Sequence, residues 1–210
     1  MTKLSIPRGA AGLVALLLLL ATGSEAARPP VDRIAENSTA GRLLVATPEL
    51  EDPNFRHTVV YVAEHDGSGA MGLVVNRVLG TGPIAELLEG LSIEGDVDPA
   101  AQIEVHYGGP VAGGRGLVLH SPDFHGADTV VLSDLAALTG SPDVLSAIAA
   151  GKGPRRSLFA LGHAGWAPGQ LEAEIAAGAW VIVEADEALL FDDETESKWQ
   201  RALDRQGIDL

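Results

Sequence analysis

Short apolar runs alternate with glycine, proline and polar residues along the chain from Gly41 onward. Runs rich in β-branched and aromatic residues are typical of β-strands. The predicted strands cover residues 42–47, 57–65, 71–77, 103–107, 116–120, 128–133, 155–162 and 179–185. A glycine-containing turn separates the second run from the third, which predicts an antiparallel hairpin.

Other segments place their apolar residues on one face of a helix. The predicted helices cover residues 83–91, 141–151, 168–178 and 194–207. Pro83 and Pro142 stand near helix starts, and Gly151 and Gly178 stand at helix ends, as is common at these boundaries. Strands precede and alternate with helices without a regular strand–helix–strand rhythm. The pattern therefore predicts an α+β fold with a mixed, largely antiparallel β-sheet and packed helices.

The first residues show the three parts of a secretory signal. Lys3 and Arg8 precede an apolar run over 12–21, and small residues follow this run to Ala26. The run is short for a membrane-spanning helix, which takes about 20 apolar residues. The predicted boundaries are a signal peptide over 1–26, a linker over 27–40 and a folded domain over 41–210.

These boundaries predict an exported protein, periplasmic or secreted, with no stable membrane span once the signal is cleaved. The alternative is a misassigned start, with translation from a non-standard codon near Val31. The protein would then remain in the cytoplasm.

Composition narrows the function classes. The chain has 210 residues of which 46% are hydrophobic, which suits one core and a single domain. Its formal net charge of -15 repels phosphodiester backbones, whose binding depends on lysine and arginine, so no nucleic-acid partner is expected. The absence of cysteine excludes disulfides, thiolate metal sites and thiol catalysis.

The glycine-rich stretch YGGPVAGGRGLVLH, residues 107–120, resembles a phosphate-binding loop at first sight. Gly109 and Gly114 have the spacing of such a loop, but Arg115 and Gly116 replace the required Lys-Ser/Thr and a strand follows instead of a helix. We therefore predict a glycine-rich connection between two strands, with Arg115 at its tip. A small anion held by loop amides and Arg115 is an alternative to plain turn chemistry.

Histidine and tryptophan supply the other candidates. His65 and His120 each end a predicted strand, so one hypothesis is that they meet and hold a metal, with Glu64 as the base of a hydrolase. The simpler interpretation is that both histidines bond to backbone or carboxylate groups. Trp166 stands between glycine and proline just before a helix, where it is either a hydrophobic staple or the wall of a ligand site.

Four segments, in order, resemble the YqgE/AlgH family of bacterial proteins. They are TPELEDPNFRHTVVYVAEHDGSGAMGLVVNR, YGGPVAGGRGLVLH, SLFALGHAGWAPGQLEAEIAAGAW and LLFD. The resemblance runs from about Gly41 to the C-terminus and implies a single α+β domain with a coiled, bifurcated sheet. It implies no settled activity, because the label of transcriptional regulator for some members rests on alginate expression.

The family's signature positions fall here at Asp52, Pro53, Phe55, Glu64, His65, Gly72, Asn76, Gly108, Gly109, Pro110, Arg115, Gly116, His120, Gly162, Gly165, Trp166, Gly169, Gln170 and Leu171. The chain departs from the pattern at Gly114, where the family has an acidic residue, and at His163, where it has tyrosine. The exported N-terminus is a third departure, since typical members begin near the first strand. If export is real, a role in gene expression is indirect.

No nucleophile, base and orienting group form a complete catalytic set in this pattern. We therefore predict a non-enzymatic regulatory domain that binds an unidentified small ligand or a protein, without a cofactor or a resident metal. Its polar pocket is expected where the segments that carry His65, Arg115, His120 and Trp166 meet. The candidate binding residues are Glu64, His65, Asn76, Gly108, Gly109, Arg115, His120, Trp166 and Gln170.

Overall fold

The structure is a computed structural model, and it describes residues 38–94 and 97–206. The predicted signal peptide over 1–26 and most of the predicted linker over 27–40 lie outside these residues. The described chain begins in packed structure, because Thr39 is buried. Its backbone N–H donates to His65 Nδ1 at 3.0 Å, and its hydroxyl lies 2.9 Å from the same nitrogen.

The β-branched runs pair into one large sheet. The strands are β1 (Leu43–Ala46), β2 (Val59–Asp66), β3 (Gly69–Val74), β4 (Val78–Pro83), β5 (Gln102–Tyr107), β6 (Val111–His120), β7 (Thr129–Val131), β8 (Ala137–Thr139), β9 (Ser157–Trp166) and β10 (Trp180–Val183). The order across the sheet is β10-β1-β2-β3-β9-β6-β8-β7, and β4 pairs with β5 beside β9.

The sheet divides along β9, the strand that contacts three partners. The C-terminal end of β9 pairs with β3, whereas its N-terminal half lies between β6 and β5. The pairing of β5 with β9 is parallel and the pairings of the other strands described above are antiparallel. A strand shared in this way carries a sheet that branches and curls.

Five helices are described around this sheet. They are α1 (Ile84–Gly90), α2 (Asp143–Ala149), α3 (Gln170–Ala176), α4 (Glu187–Phe191) and α5 (Thr195–Asp204). Over residues 38–94 and 97–206, none of the helices has both the length and the apolar character that crossing a membrane requires.

Alternation along the strands gives the sheet two buried faces. We call one of them the inner face; Leu43, Tyr61, Leu73 and Leu117 lie on it, and α4 and α5 cover it. The outer face carries two separate clusters. One lies under α3 and contains Leu171, Trp166 and Trp180, and the other lies under α1 and α2 and contains Leu88, Val118, Leu145 and Phe159.

The expected fold class is confirmed: the domain is α+β with a mixed, largely antiparallel sheet and packed helices. The hairpin of β2 and β3 is confirmed by their antiparallel register. The sequence pattern missed β4, β8 and α4. The expectation that Arg115 stands at the tip of a loop is wrong, because β6 starts at Val111 and Arg115 lies within it.

Candidate functional site

The structure does not bring the nine candidate binding residues together. Glu64 and Arg115 line one cleft. His65, Trp166 and Gln170 lie beside or within α3, and His120 is buried beside β8. Asn76, Gly108 and Gly109 hold backbone segments together.

His65 joins the start of the described chain to α3. The Thr39 N–H can only donate, so His65 Nδ1 accepts and the ring proton stands on Nε2. Nε2 lies 3.3 Å from Glu172 Oε1, to which it donates. The His65 side chain is 5% exposed, and these contacts occupy both of its nitrogens.

His120 is fully buried in a directed chain of hydrogen bonds. Its Nδ1 donates to the Ser121 carbonyl at 2.8 Å, and its Nε2 accepts from the Thr139 hydroxyl at 2.8 Å. The Thr139 oxygen in turn lies 2.7 Å from the Thr129 hydroxyl, and the Gly126 N–H donates to Thr129. Burial lowers the pKa of His120, which keeps the ring neutral and suits this direction of donation.

The two histidines lie far apart along β9. His120 pairs opposite Ser157 at the start of β9, whereas Ala70, the partner of His65, pairs opposite Trp166 at its end. At about 3.3 Å per residue, these two ends of β9 are up to about 30 Å apart. Glu64, His65 and His120 therefore do not form the metal site of the hydrolase hypothesis. Within the described ranges, no group of three or more histidine or acidic side chains is arranged to hold a metal ion.

Trp166 and Gln170 belong to an aromatic cluster on the outer face. The indole N–H groups of Trp166 and Trp180 both donate to Glu174 Oε2 at 2.9 Å, and Gln170 Nε2 donates to Glu174 Oε1 at 2.8 Å. Phe55 stacks on Trp166 with ring centroids 6.0 Å apart. These contacts join α3 to the sheet, so Trp166 takes part in packing and hydrogen bonding within the domain.

Asn76, Gly108 and Gly109 hold neighbouring backbone segments together. Asn76 Oδ1 accepts from the Val59 N–H at 2.8 Å, and its Nδ2 donates to the His57 carbonyl at 2.9 Å. Gly108 and Gly109 lie so close to the backbone at Gly162 and His163 that a Cβ on either glycine would overlap it. Gly108 and Gly109, which lie between β5 and β6, therefore serve close packing against β9, whereas Gly113 and Gly114 of the same stretch have nothing within 4 Å of a Cβ.

A different set of side chains does converge. A cleft of about 290 Å³ lies at one end of the inner face. Its lining residues are Glu64, Met71, Arg115, Leu117, Asp128, Val130, Leu138, Gly140 and His163. These residues come from β2, β3, β9, β6, the β8 segment and the β7 segment, which are six neighbours in the sheet order. A single cleft reaches six neighbouring strands only because the sheet curls around it.

Two local irregularities turn polar side chains into the cleft. The register of β2 on β3 shifts between Val62 and Glu64, so Ala63 is an extra residue and Glu64 faces the same side as Tyr61. The same bulge places His65 on the outer face. In β9, Leu158 and Ala160 belong to the inner core, and Gly162, with φ +73°, reverses the alternation so that His163 also faces inward.

Arg115 lines the cleft and is exposed. Arg42, Arg201 and Arg205 each form an ion pair with a carboxylate. By contrast, within residues 38–94 and 97–206 no hydrogen bond or ion pair is formed by the Arg115 side chain. The guanidinium lies beside Gly140, because a Cβ at that position would be in ordinary van der Waals contact with Arg115 Nη2 at 3.5 Å.

His163 adds an imidazole to the cleft beside the Arg115 guanidinium. Its Nδ1 is shielded from solvent and has no hydrogen-bond partner among the described residues. Burial, and then the positive charge of Arg115, lower the pKa of His163. The cleft therefore combines one guanidinium and one neutral imidazole with the carboxylates of Glu64 and Asp128 above an apolar floor.

Asp128 and His163 were not among the site residues predicted from the sequence. Asp128 is the first residue of the predicted strand over 128–133, whereas in the structure it precedes β7 with a left-handed backbone (φ 58°), a conformation that aspartate tolerates. His163 was noted only as a departure from the family pattern. Strand alternation was an available signal: positions 115 and 120 differ by an odd number, so Arg115 and His120 must face opposite sides of an unbroken strand.

The fold and the cleft together define a class: an α+β domain whose curled, branched sheet carries a polar cleft on its inner face. The AlgH-like family model, DUF179, matches residues 43–210. The chain belongs to this family.

Relatives that are named UPF0301 proteins are similar over most of the chain. A UPF0301 protein of Methylococcus capsulatus is 43% identical over 183 residues, which cover 87% of this chain and 100% of the relative. A UPF0301 protein of Caulobacter vibrioides is 48% identical over 170 residues, which cover 80% of this chain and 87% of the relative.

Two solved structures share the architecture. The solution structure of the AlgH protein from Pseudomonas aeruginosa is 42% identical with a TM-score of 0.68, and the match covers 84% of this chain and 93% of that one. The crystal structure of a Corynebacterium diphtheriae protein has a TM-score of 0.62 at 20% identity, covering 80% of this chain and 86% of that one. The second likeness concerns the fold alone.

Proposed function

We propose that this protein is a non-enzymatic binding domain that holds a small ligand in the inner-face cleft. The observation that carries the proposal is that the Arg115 guanidinium lines the cleft without a partner among the described residues. Within residues 38–94 and 97–206 the Arg115 side chain forms no ion pair or hydrogen bond; the same holds for Arg56, but of the two only Arg115 lines the cleft. A guanidinium in this state is suited to receive an anionic group from a ligand.

The volume supports a small ligand rather than a macromolecule. Pockets for small molecules have volumes of about 300–1,000 Å³, and this cleft, at about 290 Å³, is just below the lower limit of that range. The lining contains no serine, threonine, cysteine or lysine, and among the described residues no hydrogen bond joins Glu64, Asp128 or His163 into the nucleophile and base pair that covalent catalysis uses. Binding and signalling by occupancy therefore suit these residues better than covalent chemistry does.

The test is a thermal-shift screen of small carboxylates, inorganic phosphate and amino acids. A ligand at about 100 times its Kd adds about 2.7 kcal/mol to the free energy of unfolding, which raises Tm by about 5 °C or more. We expect at least one compound to produce this shift in the natural protein and to lose it in Arg115→Gln.

Arg56→Gln is the matched control, because Arg56 is also an exposed arginine but lies outside the cleft lining. It is expected to respond as the natural protein does. The proposal fails if no compound raises Tm, or if Arg115→Gln keeps the full response.

A further inference from the structure

We propose that the cleft takes a small α-amino acid with an apolar side chain, recognised as a zwitterion; this inference rests on the proposed function. The carboxylate of the amino acid meets Arg115, and its ammonium group meets Asp128, with Glu64 as a second acidic wall. The apolar side chain lies on the floor of the cleft.

The charges of the cleft lining favour a zwitterionic ligand over a simple anion. Arg115 is the one arginine or lysine in the lining, and Glu64 and Asp128 are its two acidic residues. The whole chain carries a formal net charge of -15. A plain anion gains Arg115 but meets both carboxylates and the negative field of the protein. A ligand that also carries an ammonium group satisfies the carboxylates as well.

A plain cation fits less well for the converse reason. It would approach the carboxylates but leave the Arg115 guanidinium beside a second positive charge, with its donors still unused. The ammonium and carboxylate of one amino acid match both signs at once. Such a ligand leaves neither sign of charge in the cleft without a partner.

The positions of the charged groups allow both contacts. Arg115 is on β6, and Asp128 directly precedes β7, two strands away across β8. Gly140, which directly follows β8, lies beside the Arg115 guanidinium, since a Cβ placed on it would stand 3.5 Å from Arg115 Nη2. Glu64 is on β2, on the other side of Arg115 in the sheet order. The two acidic groups therefore flank the guanidinium from opposite sides of the curl.

The apolar residues on the floor of the cleft determine which ligand side chain is favoured. Met71, Leu117, Val130 and Leu138 line the same 290 Å³ space. Val130 is 54% exposed, so it presents apolar surface that a ligand side chain would cover. Burial of aliphatic groups on this floor favours a residue of the size and shape of leucine over glycine or a charged amino acid.

The experiment is isothermal titration calorimetry of the full chain with a matched set of probes. The set comprises leucine, leucinamide, which lacks the carboxylate, 4-methylpentanoate, which is leucine without its amino group, and glycine, which lacks the side chain. We expect leucine to bind most tightly and each of the three analogues to lose about tenfold or more in affinity.

Asp128→Asn keeps a residue that tolerates the left-handed backbone and removes only the charge. It is expected to weaken leucine about tenfold and to leave 4-methylpentanoate unweakened. If 4-methylpentanoate binds as tightly as leucine and needs Arg115, the zwitterion is wrong while the proposed function stands. If leucine does not bind but another screened compound does so through Arg115, only this inference is overturned. If no probe or screened compound binds through Arg115, both are overturned.

Discussion

The buried histidine of β5 shows what one side chain contributes to this fold. His106 is 4% exposed, and its Nε2 lies 3.5 Å from Glu104 Oε2. Burial, and then the positive charge of Lys198, lower its pKa from 6.5 to about 4. Lys198 is itself fully buried, with Nζ donating to the carbonyls of Val75, Leu190 and Asp192 at 3.3–3.4 Å. His106 therefore stays neutral in the folded protein under mildly acidic conditions.

The pKa of His106 makes stability depend on pH. As the pH falls below 6.5 the unfolded chain binds a proton at this residue, whereas the folded chain does not until about pH 4. The stabilising contribution is therefore complete above pH 6.5 and is lost on acidification to pH 4, a change of about 3 kcal/mol. In His106→Gln we expect this part of the pH dependence to disappear.

Urea unfolding at a series of pH values between 6.5 and 4 measures the effect. Exposed His125 supplies the control, since His125→Gln should retain the pH dependence of the natural protein. Equal slopes for the natural protein and His106→Gln would show that His106 protonates as readily in the folded chain as in the unfolded one.

The sequence was enough to single out individual candidate residues, but it did not show which of them lie together in space. The sequence singled out Arg115 because it is a lone cation in a glycine-rich stretch, and singled out His65 and His120 because they end strands. Position in sequence does not show which face of a strand a side chain occupies once a bulge intervenes. Ala63 moves Glu64 inward and His65 outward, and nothing in the residue types around Ala63 signals that shift.

At the scale of elements, the cleft depends on the irregular part of β9. Gly162 has φ +73°, and a Cβ there would stand 2.5 Å from the Gly109 carbonyl oxygen. Glycine is therefore required at position 162 for two reasons: the left-handed backbone conformation and the close approach of the backbone at Gly109. This position turns His163 toward the cleft, so the shape of the strand and the composition of the site are coupled.

Gly169 provides an internal comparison for this claim. It has φ +75°, and nothing lies within 4 Å of a Cβ placed on it. Gly169→Ala should cost about 1 kcal/mol, from the backbone conformation alone. Gly162→Ala carries the same backbone cost and a backbone clash in addition, so we expect a loss of at least about 3 kcal/mol.

Chemical denaturation of the two alanine variants gives the comparison directly. Similar losses for both would mean that the contact between Gly162 and Gly109 relaxes easily and does not fix β9. A much larger loss in Gly162→Ala would show that close packing of the two backbones is essential.

Elements with a strong hydrophobic pattern were predictable, and the short or interrupted ones were not. β1 and β2 are dense in Leu, Val and Tyr, so their identity as strands was evident. β4 reads VLGTGP, whose glycines and proline indicate a loop, and it is a strand because β5 supplies hydrogen-bond partners. β8 has three residues, too few to show alternation, and it is held between β6 and β7.

At the scale of the whole molecule, the site is a product of sheet curvature. Six neighbouring strands place side chains around one cleft, although the residues range from position 64 to position 163 in the chain. No local motif encodes such a site. The α+β class could be predicted from the pattern, but the convergence of Glu64, Arg115, Asp128 and His163 follows only from the strand order and its bulges.

The surface charge of the molecule fits a small ligand better than a nucleic acid. A net charge of -15 opposes the phosphate contacts that supply most nucleic-acid affinity. The cleft lining places Arg115 together with Glu64 and Asp128, and the proposed ligand carries both signs of charge to match them. Selectivity would then arise from the shape and charge of one cleft on an otherwise repulsive surface.

The most direct measurement is an NMR titration of the protein with leucine, in which amide chemical shifts report where the ligand binds. We expect the largest changes around Glu64, Arg115, Asp128 and His163, on the inner face. Changes centred on His65, Trp166 and Gln170, on the outer face beside α3, would contradict the assignment of the site to the cleft. A spectrum that does not change with leucine or with any compound that raises Tm would contradict the cleft as a binding site altogether.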